Sequence, residues 1–214
     1  MTHKPIVVLT GGVASGKTSV SDILKSQGVP VVDTDVIAHQ LSQPGQAAHS
    51  LIVKEWGADV LVAPDRPSDS PIDRIALRKL VFEHSRERNR LDALLHPLIM
   101  EQALSDVLSY ESETDAPYIL LVIPLYAEMA EKLRDKLSPS AVVVVDVPTA
   151  DQIQRLTKRD GIDSLLACNM IQAQASREER KALATDVLSN TGDLESLHRA
   201  VAALHQTLVA RFSG

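Results

Sequence analysis

Cysteine is almost missing: the 214 residues contain one, Cys168, which excludes an internal disulfide and a cysteine-based zinc site and suits a reducing compartment. Excess positive charge is missing too. The formal net charge is −6, so no global field recruits nucleic acid or an acidic membrane, and a polyanionic ligand must be met by local positive groups. No stretch approaches the roughly 18 apolar residues of a membrane span. Met1 runs almost directly into an apolar strand, leaving no room for a signal peptide, so a cytoplasmic protein is expected. There is no internal repeat and no low-complexity tract, and His39, His49 and His84 lack partners at metal-ligand spacing. What remains is an ordinary globular composition, 44% hydrophobic and 23% charged with few aromatics, long enough for one α/β domain with embellishments.

Against that background one stretch stands out. Gly11-Gly12-Val13-Ala14-Ser15-Gly16-Lys17-Thr18 fits G-x-x-x-x-G-K-[ST], the Walker A phosphate-binding loop, without a mismatch. Glycines let successive backbone N–H groups converge on phosphate oxygens, and the following helix aims its positive end at the same anion. Gly12, Val13, Ala14, Ser15, Gly16, Lys17, Thr18 and Ser19 are therefore the expected phosphate-binding run, with Lys17 reaching the β/γ-phosphates and the Thr18 hydroxyl ligating Mg²⁺. The context suits the motif. Ile6 to Thr10 reads as a buried strand, Val20, Ile23 and Leu24 recur at helical spacing, and Gly28 stands where a helix C-cap is expected.

The remaining pattern alternates buried strands with helices. Val29 to Val32 forms a second strand ending in Asp33-Thr34-Asp35, Tyr118 to Ile123 a third, Ala141 to Val145 a fourth ending at Asp146, and Val187-Leu188 a short fifth. Continuous Val/Ile/Leu runs mean strands covered on both faces, hence a five-stranded parallel sheet in a three-layer α/β sandwich. From Val36 to about Ser112 the pattern is almost wholly helical, too long for a crossover, and reads as a helical insertion. Within it Pro97 is expected to open a new helix as its first residue. Thr149 to Asp160 is helical, Gln172 to Arg180 reads as polar and mobile, and Asp193 is the expected N-cap of a closing helix.

Asp33 and Asp35 stand at a strand's carboxyl end, where ligands of open parallel sheets collect. One carboxylate there can hold a Mg²⁺-bound water while the other accepts a hydroxyl proton from an acceptor substrate. A carboxylate is a weak base for a sugar hydroxyl, so its task is orientation and late proton acceptance in a loose transition state. Acidic residues at a strand end also simply cap the next helix, as Asp33 or Thr34 could. Arg155, Arg159, Arg177 and Arg180 form the local positive cluster that the global charge lacks, suited either to neutralising charge on the phosphates or to a solvated face paired with Asp151, Asp163, Glu178 or Glu179. His96 suits either a substrate phosphate or ribose, or a bond to a backbone carbonyl.

No glycine has an aspartate three residues before it, so the DxxG element of a regulatory GTPase is absent, and Thr157-Lys158-Arg159-Asp160 lies inside a helix where a guanine reader would not. Val142 to Asp146 could serve as a Walker B strand in an ATPase. The combination of a phosphate loop, a DxD on strand two, a helical insertion and late arginines fits a small-molecule kinase best, in which the insertion binds the acceptor and an arginine segment closes as a lid. The expected division is a P-loop core from 1–35, 115–150 and 184–214, a helical substrate insertion at 36–114 and an arginine-bearing lid at 151–183.

The chain resembles the dephospho-CoA kinase family over nearly its whole length. The likeness runs through Leu9-Thr10-Gly11-Gly12 and Lys17-Thr18, Gly28 to Asp35 with Ile37-Ala38, Asp73-Arg74 with Leu77-Arg78 and Val81-Phe82, and Leu95-His96-Pro97-Leu98-Ile99. It continues through Pro124-Leu125 with Glu128, Val144 to Val147, Gln152 with Arg155 and Arg159-Asp160, Gln174 with Arg180, and Asp186-Val187-Leu188 with Asn190. The resemblance implies transfer of the γ-phosphoryl of ATP to the ribose 3′-hydroxyl of dephospho-CoA. It implies Asp35 as base with Asp33 beside Mg²⁺, Arg74 and His96 on the CoA side, and the Asn190 loop near adenine. Departures from the family pattern are Tyr126-Ala127 before Glu128, Asn169 and Met100. A kinase of another nucleoside- or pantetheine-like alcohol, or a protein that binds ATP and passes it to no acceptor, are the alternatives.

Overall fold

The runs Ile6–Gly11, Ile119–Val122 and Ala141–Asp146 have no polar alternation and are buried almost throughout, as strands covered on both faces must be, whereas Val31–Asp33 is only partly buried and Asp186–Ser189 alternates, with Val187 exposed. The computed structural model describes residues 4–83 and 85–213; the first three residues, His84, Gly214 and the side chains of Arg78, Phe82, Glu83 and Ser85 lie outside the described set. The chain forms two compact units, Met1–Val32 with Val107–Gly214, and Asp33–Asp106.

The first unit is built on a five-stranded parallel sheet of β1 (Ile6–Gly11), β2 (Val31–Asp33), β3 (Ile119–Val122), β4 (Ala141–Asp146) and β5 (Asp186–Ser189), in the order β2-β3-β1-β4-β5. β1 is central, with Val8 in register with Leu121 on one side and Val142 on the other. After β1 the chain builds one flank and then, from β4, the other, so the carboxyl end of β1 lies where the winding changes direction. Helices α1 (Lys17–Ser26) and α10 (Leu194–Phe212) close one face through Val20, Ile23, Leu24, Leu197, Val201 and Leu208, all buried with Val7, Leu9 and Val143. Each such side chain contributes about 1.5–3 kcal/mol on leaving water. α1 ends in a Schellman motif: Gly28 at φ +85° donates to Lys25 O (3.0 Å) and Val29 to Leu24 O (3.1 Å). Asp193 caps α10 by accepting from Ser196 N–H (2.8 Å).

The second unit holds α2 (Thr34–Leu41), α3 (Ala47–Trp56), a 3₁₀ turn at Gly57–Val60, α4 (Arg74–Glu83) and most of α5 (Ser85–Glu113). Its core is Ile52, Val60, Leu61 and Ile72, with Trp56, Leu77, Leu80, Leu91 and Leu95 packed on it. The buried His49 donates from Nε2 to Ser70 O at 2.8 Å, and Trp56 donates to Glu87 Oε2 at 2.8 Å beneath the Arg90 guanidinium.

Two expectations need correcting. Pro97 does not start a helix: it lies inside the 29-residue α5. Continuing through proline loses one rung and crowds the carbonyl four residues earlier, whereas ending one helix and starting another leaves four carbonyls and four amides without intrahelical partners. The stretch from Gln172 to Arg180, expected to hold no element, takes in the end of one helix and the start of another. It joins α8 (Ser164–Gln172) to α9 (Arg177–Ala182), whose capping box has Ser176 Oγ accepting from Glu179 N–H (3.1 Å) and Glu179 Oε2 from Ser176 N–H (2.7 Å). Ala175 N–H donates to Glu128 Oε1 (2.8 Å), and Glu128 lies on α6 (Tyr126–Leu133).

Candidate active site

The glycine-rich loop leaves the carboxyl end of the central strand and enters α1, with Gly16 in the left-handed region (φ +94°) at the N-cap. Its glycines are required by what surrounds them. A Cβ on Gly11 would stand 2.6 Å from Val145 O, one on Gly12 would strike the Gln152 amide and stand 2.9 Å from Arg180 Nη2, and one on Gly16 would strike the Asn190 amide. Among the described residues only Ala14 (φ +57°) has positive φ without being glycine.

Every carbonyl from residue 11 to residue 15 accepts from a side chain. Lys17 Nζ donates to Gly11 O (2.8 Å) and Gly12 O (3.0 Å), and Gln152 Nε2 donates to Val13 O (2.6 Å). Arg155 Nη1 lies 3.4 Å from Ala14 O and 3.5 Å from Ser15 O, while Asn190 Nδ2 donates to Ser15 O (2.8 Å). On the donor side, Val13 N–H goes to Gln174 Oε1 (2.8 Å) and Ser15 N–H to Gly12 O (3.1 Å). The amides of Ala14, Gly16 and Thr18 have no protein acceptor among the described residues. With the carbonyls held and these donors left over, at a helix N-terminus, the loop presents positive dipole ends.

The four arginines separate. Arg155, on α7 (Thr149–Asp160), also donates from Nη2 to Asn190 O at 2.7 Å, which fixes its charge beside the loop. Arg180 is buried against Gly12 and donates to Ala175 O; burial lowers its pKa, and Glu128 and Asp146 counter that only in part. Arg177 makes a bidentate pair with Asp146 (2.7 Å on both arms), and that hydrogen bonding holds the Asp146 carboxyl below the usual range. Arg159 pairs with its neighbour Asp160 (2.7 Å).

In the helical unit, Asp33 caps α2, its Oδ1 accepting from Asp35 N–H (2.8 Å) and Val36 N–H (3.4 Å). Asp35 is exposed in the first turn of that helix. Arg74, first residue of α4, donates to His39 Nδ1, and His96 Nε2 lies 3.9 Å from Asp92 Oδ1. Thr18 and Ser19 are exposed on the first turn of α1. Among the described residues no three His, Cys, Asp or Glu side chains gather as a metal cluster.

Residue chemistry alone did not single out the contact of Gln152 and Gln174 with the loop. Gln152 is 1% exposed and stands one turn before the buried Leu156 on α7, so a glutamine on a buried helix face was the available signal. Gln174 has no comparable local mark.

Comparison with known proteins places the chain in one group. A family model described as dephospho-CoA kinase matches residues 5–196. The dephospho-CoA kinase of Vibrio vulnificus is 38% identical over 207 residues, covering 96% of each chain. A crystal structure from Thermus thermophilus superposes with a TM-score of 0.76 at 30% identity, covering 97% of this chain and 99% of that one. Dephospho-CoA kinase from Campylobacter jejuni gives a TM-score of 0.63 at 20% identity, covering 96% and 97%, which shows the shared fold.

Proposed function

The chain belongs to the dephospho-CoA kinase family, and from that premise we propose how its residues divide the transfer of the γ-phosphoryl group of ATP to the ribose 3′-hydroxyl of dephospho-CoA, the last step of coenzyme A biosynthesis. The observation that carries the reading is the loop whose five carbonyls are all held by side chains while amides at its helix end remain. Such donors are oriented before the anion arrives, so binding costs little reorganisation.

On this reading Lys17 exchanges the carbonyls of Gly11 and Gly12 for the β- and γ-phosphate oxygens, trading neutral acceptors for anionic ones. The run from Gly12 to Ser19 cradles the phosphates through those of its amides that are not given to Gln174 and Gly12 O, and Arg155 adds a fixed positive charge as negative charge shifts toward the β–γ bridge. Asn190 braces Ser15 and lines the adenine end. Asp35 orients the acceptor hydroxyl and takes its proton late, while Arg74 and His96 hold the CoA side. The donor set also suits Mg²⁺, which takes oxygen ligands from one or two carboxylates and substrate phosphates. The exposed Thr18 hydroxyl and Asp33, which spends Oδ1 on its helix cap, would hold the ion, and the ion supplies charge neutralisation on the phosphates. The core, insertion and lid divide as 1–35 with 115–150 and 184–214, then 36–114, then 151–183.

Purified protein with ATP and dephospho-CoA should release ADP in a coupled assay, and Asp35→Asn should lower kcat by about 10²–10⁴-fold. No ADP with dephospho-CoA present would remove the reading. A near-full rate in Asp35→Asn would remove only the base assignment.

A further inference from the structure

Val13 carries both peptide groups that lead into Ala14, the one non-glycine residue with positive φ among those described. Both groups are held from far away in the chain: Gln152 Nε2 donates to Val13 O at 2.6 Å, and Gln174 Oε1 accepts from Val13 N–H at 2.8 Å. A non-glycine residue in that region is strained and persists only where its surroundings over-determine it. Here two carboxamides supply that determination.

Gln174 is itself firmly set. The next residue donates to Glu128, Arg177 makes its bidentate pair with Asp146 at the end of β4, and Arg180 is buried against Gly12. Gln174 therefore lies on a segment pinned to the sheet at several points, and its carboxamide reaches the loop from there.

We propose that Gln174, acting with Gln152, is a positioning residue for phosphoryl transfer: the two glutamines clamp the peptides flanking Val13 and so fix the amides of Ala14, Gly16, Lys17 and Thr18 in their phosphate-binding orientation. This rests on the kinase reading above and adds to it the residues that set the loop. Neither glutamine touches the reacting atoms. The seating of the 174–180 segment and the grip on the β-phosphate become one property, because the same carboxamide belongs to both.

Gln174→Met tests it, since methionine keeps the length and removes the acceptor. By calorimetry ADP should bind about tenfold more weakly, as expected for one lost hydrogen bond to an oriented peptide. AMP, which lacks the β-phosphate, and the KM for dephospho-CoA should stay within about twofold by the same reasoning. In the nucleotide-free protein the Val13 amide should exchange with solvent faster. A general loss of structure would move AMP, acceptor and melting temperature together, which this pattern does not; Gln174→Ala repeats the measurement if methionine packs poorly. ADP affinity unchanged, or tighter because the glutamine competes with phosphate, overturns the proposal. A wild-type protein that turns over dephospho-CoA while the variant matches it refutes the clamp alone; a wild-type protein that does neither refutes the kinase reading beneath it.

Discussion

Gly16 and Gly28 form a matched pair for testing how tightly the loop is held. Both lie in the left-handed region, at φ +94° and +85°, yet a Cβ on Gly28 meets nothing within 4 Å while one on Gly16 collides with the Asn190 amide. Gly28→Ala therefore costs only the backbone conformation, roughly 1–2 kcal/mol, offset by about 0.5 kcal/mol from a less flexible unfolded chain. Gly16→Ala costs that and also displaces Asn190, which is 7% exposed, donates to Ser15 O, and whose carbonyl accepts from Arg155. Leaving buried groups of that network unpaired adds about 1–3 kcal/mol. In a chain of this size 1 kcal/mol shifts the melting temperature by roughly 2–4 °C. Gly28→Ala should thus melt roughly 2–4 °C below wild type with KM for ATP unchanged, and Gly16→Ala roughly 5–15 °C below with ATP binding lost. Calorimetric melts with an ATP titration decide it. If the two variants melt within a degree of each other, Asn190 is not braced against the loop and the account of the site's rigidity fails.

Asp146→Asn removes one arm of the Arg177 pair and should destabilise the protein by about 1–2 kcal/mol at pH 7, a figure reduced for the partly exposed arginine. The sign follows from the lowered carboxyl: its contribution is present above the unfolded value of 3.8 and is lost as pH falls through the lower folded value, so urea melts of wild type and variant should converge below about pH 4. A gap unchanged at pH 3 would locate the effect elsewhere. Lys17→Ala should lower kcat by at least about a hundredfold with little change in melting temperature; retained turnover would contradict its role at the phosphates. Arg74→Ala should raise KM for dephospho-CoA about tenfold and leave KM for ATP unchanged, and equal rises in both would place Arg74 off the acceptor side.

Much of this molecule can be read in order along the chain. The phosphate loop is contiguous, the buried strands advertise themselves as unbroken Val/Ile/Leu runs, and Asp193 and Gly28 mark helix ends at their expected places. The capping box Ser176-x-x-Glu179 was equally local and marks α9, although that stretch reads first as a mobile polar segment. Pro97 shows the limit of local rules, because its preference for a helix start is weaker than the eight end groups that a break would leave unpaired.

What the chain order does not contain is who meets whom. Arg177 has acidic neighbours at Glu178 and Glu179 yet pairs with Asp146, 31 positions earlier, because α9 packs beside β4. Gln152, Gln174 and Asn190 reach the loop across 139, 161 and 175 positions. Apart from Gln152's place on a buried helix face, their side chains carry no local mark. The reason is physical: local sequence determines backbone conformation and which face is apolar, whereas a strained loop's hydrogen-bond partners are chosen only when the parallel sheet sets the ends of β4 and β5 beside the end of β1.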